Sequence, residues 1–208
     1  MKIPRSAILL FLSFFSAISQ AADSPALSAF RKTFLTERDA VTFQVAGDLN
    51  GDGLSDVALL VMKDRGQLTQ QLYVLLQDPS GGYAVADKST ESPFFAGGCC
   101  YVDGMEVRNS SIYVNNFFKD STGGAGTTIN QFKLYKGAWR LVGMSTFYHP
   151  GDTGDDTRTD MNLLTGSVIV TTQAGVHRRV IKTYKMKTTP HYLRNFDFDA
   201  SFGLTERK

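Results

Sequence analysis

Residues 41–62 read VTFQVAGDLNGDGLSDVALLVM, and this stretch decides the fold class. Apolar and polar residues alternate over 41–45, which is the pattern of a half-buried strand. Residues 57–62 form a continuous apolar run, which indicates a central strand. The sequence therefore predicts two strands that bracket a polar loop at 48–56, and no helix on either side of that loop.

The loop carries oxygen-bearing side chains at its first, third, fifth and ninth positions, which are Asp48, Asn50, Asp52 and Asp56. Leu54, at the seventh position, can add its backbone carbonyl. Ca²⁺ takes six to eight hard oxygen ligands, whereas Mg²⁺ keeps several waters. Three acids this close repel one another unless a cation lies between them. The loop therefore predicts a calcium site, with an ion-free turn rich in Asp, Asn and Gly as the open alternative.

The spacing of this loop differs from that of an EF-hand. An EF-hand needs a bidentate Glu at its twelfth position, and Leu59 stands there. The D-x-N-x-D-G-x-x-D pattern resembles the loops of FG-GAP and integrin-type propeller repeats, in which the ninth-position Asp closes the site. A propeller would need several such loops, and this sequence has one, so we expect a structural calcium site.

The remaining chain alternates strand patterns with turn residues about every ten positions. Ser24 and Pro25 suit the start of a helix, and helical spacing of apolar residues predicts one short helix near 25–37. Hairpin turns are expected at 109–110, 136–137 and 173–175. We predict a mainly β, single-domain antiparallel meander over 22–208 that forms a barrel, a sandwich or a twisted sheet.

The first 21 residues have the pattern of a secretory signal peptide. Lys2 and Arg5 precede an apolar stretch at 7–18, and small residues at 19–21 suit a cleavage site. We therefore expect a periplasmic or secreted bacterial protein. No later stretch has twenty apolar residues, so we expect no membrane insertion after the signal is removed.

Composition excludes two further classes. Hydrophobic residues make up 42% of the chain, with 15 Phe, which excludes a disordered protein. Lys and Arg total 22 and Asp and Glu total 20, and loss of the cations in the signal segment brings the net charge to zero. A neutral chain lacks the cationic excess of a nucleic-acid binder, so we expect no nucleic-acid partner.

Cys99 and Cys100 are adjacent and are the only cysteines. An oxidising compartment favours disulfides, so they can form a strained vicinal disulfide, and an intermolecular bridge or two buried thiols remain open. A redox-catalytic role is disfavoured because the Cys-x-x-Cys spacing is absent. A zinc site is disfavoured because no nearby His cluster completes four ligands.

Three other features have both a functional and a structural interpretation. The loop at 149–160 is either a second cation site, an acid–base pair or a solvated acidic loop. The basic ribbon at 176–187 either meets an acidic partner or is a solvated strand face. Four aromatic residues are expected in the core, with a sugar-binding platform as the alternative. The acidic-loop candidates are His149, Asp152, Asp155, Asp156 and Asp160, and the aromatic residues are Phe132, Tyr135, Trp139 and Phe147.

Several segments together resemble a group of uncharacterised bacterial exported proteins. They are the stretches at 47–60, 72–77, 97–100, 132–135, 139–143, 162–166 and 193–197. The resemblance implies a compact β-rich fold with one calcium-type loop, and no established activity. The chain departs from this group where its two cysteines are adjacent, because the group is expected to have them spaced apart.

Two functions follow from these features. The first is an exported, calcium-stabilised, non-catalytic binding module that recognises a protein or another envelope macromolecule, for example as an inhibitor or immunity protein. The alternative is a periplasmic or secreted hydrolase that uses carboxylates of the 149–160 loop. The missing catalytic motif favours the first function, since no Gly-x-Ser-x-Gly elbow is present.

Overall fold

The computed structural model describes residues 25–63, 69–93, 100–151, 154–174 and 178–196, so the predicted signal peptide lies outside the described residues. These residues form one α-helix, α1 (Pro25–Phe34), thirteen strands and a 3₁₀ turn at Leu193–Asn195. The strands are β1 (Ala40–Gly47), β2 (Asp56–Lys63), β3 (Thr69–Gln77), β4 (Tyr83–Lys88), β5 (Ser92–Pro93), β6 (Cys100–Arg108), β7 (Ser111–Lys119), β8 (Ala125–Tyr135), β9 (Ala138–His149), β10 (Asp156–Asn162), β11 (Ser167–Ala174), β12 (Arg178–Lys185) and β13 (His191–Tyr192).

The strands form two antiparallel sheets. Sheet A has the order β1-β2-β3-β4, and β5 also pairs with β3. Sheet B has the order β12-β11-β10-β9-β8-β7-β6, and β13 pairs with β9. Apart from the short strands β5 and β13, neighbours in each sheet are also neighbours along the chain, which confirms the antiparallel meander. The two sheets pack face to face, and the described strands do not close into a barrel.

Sheet A is the middle layer of the molecule, which explains the apolar run in β2. Alternate side chains on a strand point to opposite faces. Val57, Leu59 and Val61 pack beneath α1, in a cluster that includes Phe30. Ala58 and its alternate neighbours point the other way into the core shared with sheet B. Both faces are buried, so β2 and the centre of β3 are apolar on both sides.

The main core lies between the two sheets. Trp139 is 3% exposed, and Phe132 is fully buried with its ring 5.0 Å from that of Phe196. The expectation that Phe132 and Trp139 belong to the core is confirmed. Leu193 and Phe196, near the C-terminal end of the described residues, also pack in this core.

Sheet A contacts the β6 end of sheet B closely. A Cβ atom on Gly47, the last residue of β1, would lie 2.6 Å from Cγ1 of Val107 in β6. Only a residue without a side chain permits this approach of the two strands. The opposite edge of sheet B, formed by β12, lies at the far end of the strand order.

Two of the predicted hairpin turns are confirmed by their backbone geometry. Asn109 and Ser110 have φ angles of 51° and 52°, and Lys136 and Gly137 have φ angles of 51° and 77°. Positive φ at both central residues defines the type I′ turn, whose twist suits a two-residue hairpin. The third turn, at 173–175, extends beyond the described residues.

The interpretation of 149–160 as one loop is wrong, because its last five residues belong to strand β10. This strand pairs with β9 on one side and with β11 on the other. Asp156, Arg158 and Asp160 alternate with Thr, and such a polar alternation gives little apolar signal. The strand is stabilised by its two neighbours rather than by an apolar face of its own.

Candidate functional site

The acidic loop closes the β1–β2 hairpin. Gly47 pairs with Asp56 at the base, so residues 48–55 form the connection. Gly51 and Gly53 have φ angles of 88° and 84°, which non-glycine side chains rarely adopt. Both glycines therefore permit the tight path that brings the oxygen-bearing residues together.

Three of the predicted ligands converge in this loop. Asp48, Asp52 and Asp56 each place a carboxylate oxygen within 4.8 Å of the other two. Carboxylates at this separation repel one another, and a cation among them would remove the repulsion. This acidic triad can therefore hold a metal ion.

Hydrogen bonds within the loop orient the carboxylates. The Oδ1 atom of Asp48 accepts from the Gly51 N–H at 2.6 Å, and its Oδ2 accepts from the Gly53 N–H at 3.1 Å. The Leu54 N–H donates to Asp52 Oδ1 at 2.8 Å, and Asn50 Nδ2 donates to Asp52 Oδ2 at 2.8 Å. The Leu54 bond, followed by the Asn50 bond, lowers the pKa of Asp52 below its usual value. A carboxylate oxygen has two lone pairs, so these bonds leave acceptor capacity for a cation.

Asp56 differs from the other two acids because its side chain is fully buried. Its Oδ2 accepts from the Leu49 N–H at 2.8 Å, and its Oδ1 accepts from the Gln77 N–H at 2.9 Å. Asp56 therefore joins the loop to the end of β3. The sequence predicted this residue as a ligand, but not as a link between strands.

The other two predicted ligands also lie in the loop. The Oδ1 atom of Asn50 accepts from the Asp52 N–H at 2.9 Å. The carbonyl of Leu54 remains a predicted ligand. Of the predicted cysteine pair, Cys99 lies outside the described residues, and Cys100 begins β6 opposite Phe118. The disulfide therefore stays a prediction.

The described acids of 149–160 do not gather in one pocket. His149 Nδ1 lies 2.5 Å from Asp156 Oδ1, and both side chains are exposed. Asp160 is four residues further along β10, about 13 Å away along an extended strand. Asp155 is exposed before β10, and Asp152 lies outside the described residues.

Asp160 is engaged by its neighbours. Arg158 Nε lies 2.9 Å from its Oδ2, and Ser145 Oγ donates to its Oδ1 at 2.6 Å. Burial raises the pKa of Asp160, but the bonds from Arg158 and Ser145 together lower it below its usual value. Asp160 is therefore held as a paired carboxylate.

A shallow groove of about 580 Å³ crosses the outer face of sheet B, with Asp160 in its floor. Outer here means the face that points away from sheet A. Side chains from β7 through β12 line it, among them Tyr113, Ile129, Gln131, Ser145, Ile169 and Lys185. No described helix or strand packs over this face. It is therefore an open surface with both apolar and polar groups.

Large apolar side chains are exposed on this outer face of sheet B. Tyr101, Phe147 and Ile169 are 47%, 45% and 41% exposed. Tyr101 also contacts Phe117 of β7, with ring centroids 5.1 Å apart. Exposed apolar groups that share one face indicate an interaction surface.

The expectation that Phe147 belongs to the core is wrong, and a bulge in β9 is the reason. Gln131 pairs with Gly143 and Phe132 with Leu141, so Val142 is an extra residue in β9. One extra residue exchanges the two faces of the strand beyond it. Phe147 therefore points outward, although strict alternation from Leu141 would turn it inward. Tyr135, also expected in the core, is only partly buried.

No protein-family model, curated protein or solved structure matched this chain. The resemblance to exported bacterial proteins therefore stays a prediction. Within the described ranges, no helix has the length and apolar character needed to cross a membrane.

Proposed function

We propose that this chain is an exported, calcium-stabilised, non-catalytic module that binds a protein or another envelope macromolecule. The outer face of sheet B is the recognition surface in this proposal. The observation that carries it is the open groove, which Ile169 lines, together with the exposed side chain of Phe147 on the same face of sheet B. A mixed patch with apolar residues and a polar border has the composition of a protein-binding surface.

The chemistry of the loop supports calcium as its cation. Asp48, Asn50, Asp52, Asp56 and the Leu54 carbonyl would hold the ion. All of these donors are hard oxygens, which suit Ca²⁺. Ca²⁺ accepts six to eight such ligands in variable geometry, whereas Mg²⁺ requires a strict octahedron and keeps several waters. Millimolar calcium outside the cytosol would fill even a weak site. Bound calcium would then hold β1 and β2 together at their shared end and stabilise the folded state by mass action.

The pairing of the acids on sheet B supports a binding function over the hydrolase alternative. Asp160 bonds to Arg158 and Ser145, and Asp156 bonds to His149. These two carboxylates lie about 13 Å apart along β10. Such an arrangement favours separate structural side-chain pairs over a joint acid–base role.

The calcium part is tested by thermal unfolding with excess calcium and with chelator. We expect calcium to raise the Tm by several degrees in the wild type. The double variant Asp48→Ala, Asp52→Ala should lose this rise. The control Asp103→Ala, Asp155→Ala removes two exposed acids elsewhere and should keep it. An equal wild-type Tm in both conditions would contradict a calcium site.

The binding part is tested by capture from envelope extract in calcium. Wild type and the double variant Phe147→Ser, Ile169→Ser are compared after equal folding has been verified by circular dichroism. The control Phe34→Ser alters a side chain of α1 that is 53% exposed. We expect the outer-face variant to lose a component that the wild type and the control retain. Equal retention by all three would contradict recognition through this face.

A further inference from the structure

The edge strand β12 is open along its backbone. It pairs with β11 on one side and ends the strand order of sheet B on the other. Among the described residues no strand pairs with its outer edge. Alternate N–H and C=O groups along an edge strand are therefore available to another extended chain.

Both faces of β12 are also open to solvent. Ile181 points to the outer face and is 58% exposed, and Tyr184 points to the inner face and is 47% exposed. Arg179, Lys182 and Lys185 are exposed beside them. Each face of the strand thus presents apolar and cationic side chains together.

The charge of this edge has one sign. Strand β11 has no charged residue, and β12 has cations and no carboxylate. Lys185 Nζ donates to the Thr165 carbonyl at 3.3 Å, so its partner is a neutral group. Elsewhere on the outer face of sheet B, Asp156 and Asp160 are already paired with neighbouring side chains. An approaching chain therefore meets cations along the whole edge.

We propose that β12 binds an extended acidic segment of a protein partner, which adds to sheet B as a further antiparallel or parallel strand. The inference rests on the proposed binding function and names the kind of partner. Backbone hydrogen bonds would supply affinity, and the side chains of β12 would select the sequence. Successive residues of a strand point to opposite faces, and β12 has cations and apolar groups on both faces. The preferred segment therefore alternates pairs of acidic residues with pairs of apolar residues.

The same charges disfavour a second copy of this chain as the occupant. In an antiparallel copy centred on Lys182, that residue lies opposite itself, and Arg179 lies opposite Lys185. Like charges placed directly opposite each other destabilise strand pairing. The edge thus resists self-association, while an acidic strand would meet favourable cross-strand pairs.

The test uses fluorescence anisotropy with the mature chain and the octapeptide Glu-Glu-Val-Val-Glu-Glu-Val-Val, called the glutamate–valine peptide. Two control peptides are the same octapeptide with Lys in place of each Glu and the proline peptide Glu-Glu-Val-Pro-Glu-Glu-Val-Val, which cannot make the full set of backbone bonds. We expect binding of the first peptide only, at least tenfold tighter than either control and weaker at high salt. Amide hydrogen exchange should slow at alternate positions of β12.

Charge reversal then locates the site. The variant Lys182→Glu, Lys185→Glu should lose peptide binding by at least tenfold. The control Lys32→Glu, Lys88→Glu makes the same charge change on α1 and sheet A and should bind as the wild type does. An equal loss of peptide binding in both variants would show that net charge alone explains the effect, and would overturn the proposal.

Three other results would also overturn it. They are equal binding of the proline peptide, no binding of the glutamate–valine peptide, and binding to anionic phospholipid vesicles that the peptide does not displace. The first points to electrostatic attraction without strand addition, and the last to a membrane surface. If the peptide fails while Phe147→Ser, Ile169→Ser still loses the captured component, only the edge inference fails.

Discussion

Asp56 and Gln77 are 21 positions apart, and a 2.9 Å hydrogen bond from the Gln77 N–H to Asp56 Oδ1 joins them. The other oxygen of this buried carboxylate accepts from Leu49. One side chain thus ties the acidic loop to β3 as well as to its own hairpin. This role does not require a bound ion.

Asp56→Ala should therefore destabilise the protein even in chelator. It leaves two backbone donors without their acceptor, at a cost of roughly 2–5 kcal/mol in the free energy of unfolding. Asp48→Ala should cost less in chelator, because its partners Gly51 and Gly53 lie in an exposed turn. Urea unfolding of the two variants, with calcium and with chelator, measures both losses in the free energy of unfolding. Equal losses for the two variants in chelator would contradict the structural role of Asp56.

Asp120 should contribute to stability against acid. The Tyr148 hydroxyl donates to its Oδ2, and together with Thr122 this lowers the pKa of Asp120 to about 2, from 3.8. A lowered pKa gives stability that is complete above 3.8 and is lost as the pH falls towards about 2. Tyr148→Phe should raise the carboxyl pKa, as followed by NMR titration of Asp120. An unchanged pKa in this variant would show that the bond is not formed in solution.

The bulge in β9 predicts opposite results for two aromatic residues. Phe132→Ala removes a fully buried aromatic ring and should lower the free energy of unfolding by about 3–5 kcal/mol. Phe147→Ala removes a side chain that is 45% exposed and should change this quantity by at most about 0.5 kcal/mol. Denaturant unfolding of both variants measures these two changes in the free energy of unfolding. A large loss at Phe147 would place this ring in the core and contradict the register of β9.

Asn130 predicts a stabilising substitution. Its side chain is fully buried, and neither its Oδ1 nor its Nδ2 has a hydrogen-bond partner. It lies between Val114 and Met144 in the sheet. Asn130→Leu keeps a similar shape and should raise the free energy of unfolding by about 1 kcal/mol or more. A loss of stability would instead show that internal water pairs with the amide.

The fold could be predicted from the sequence wherever a pattern was local. The apolar run of β2, the helical spacing of α1 and the turn residues Asn109 and Ser110 each require particular backbone conformations. The prediction of a loop over 149–160 was wrong because β10 has no apolar face and depends on its neighbours in the sheet. The prediction that Phe147 lies in the core was wrong because the extra residue at Val142 is visible only in the pairing of β9 with β8.

The features of the candidate sites also differ in whether the sequence could predict them. The acids of the loop share one short segment, so their spacing alone predicts that they converge. The second role of Asp56 depends on Gln77, which only the packing of β3 beside β2 brings within reach. The groove on sheet B is assembled from six strands, so no single segment of the sequence contains it.

The separation of charge between the two sheets gives the molecule an electric dipole. Carboxylates outnumber cations on sheet A and its loops, whereas β12 at the far edge of sheet B has only cations. In the electric field of an acidic partner, this dipole would orient the molecule so that β12 faces the partner before contact. Association would be faster as a result, and added salt would weaken this effect. A cation in the loop would neutralise part of the negative pole, so calcium would also tune this orientation. The sheet A carboxylates are Glu37, Asp39, Asp48, Asp52, Asp56, Asp78, Asp87 and Glu91.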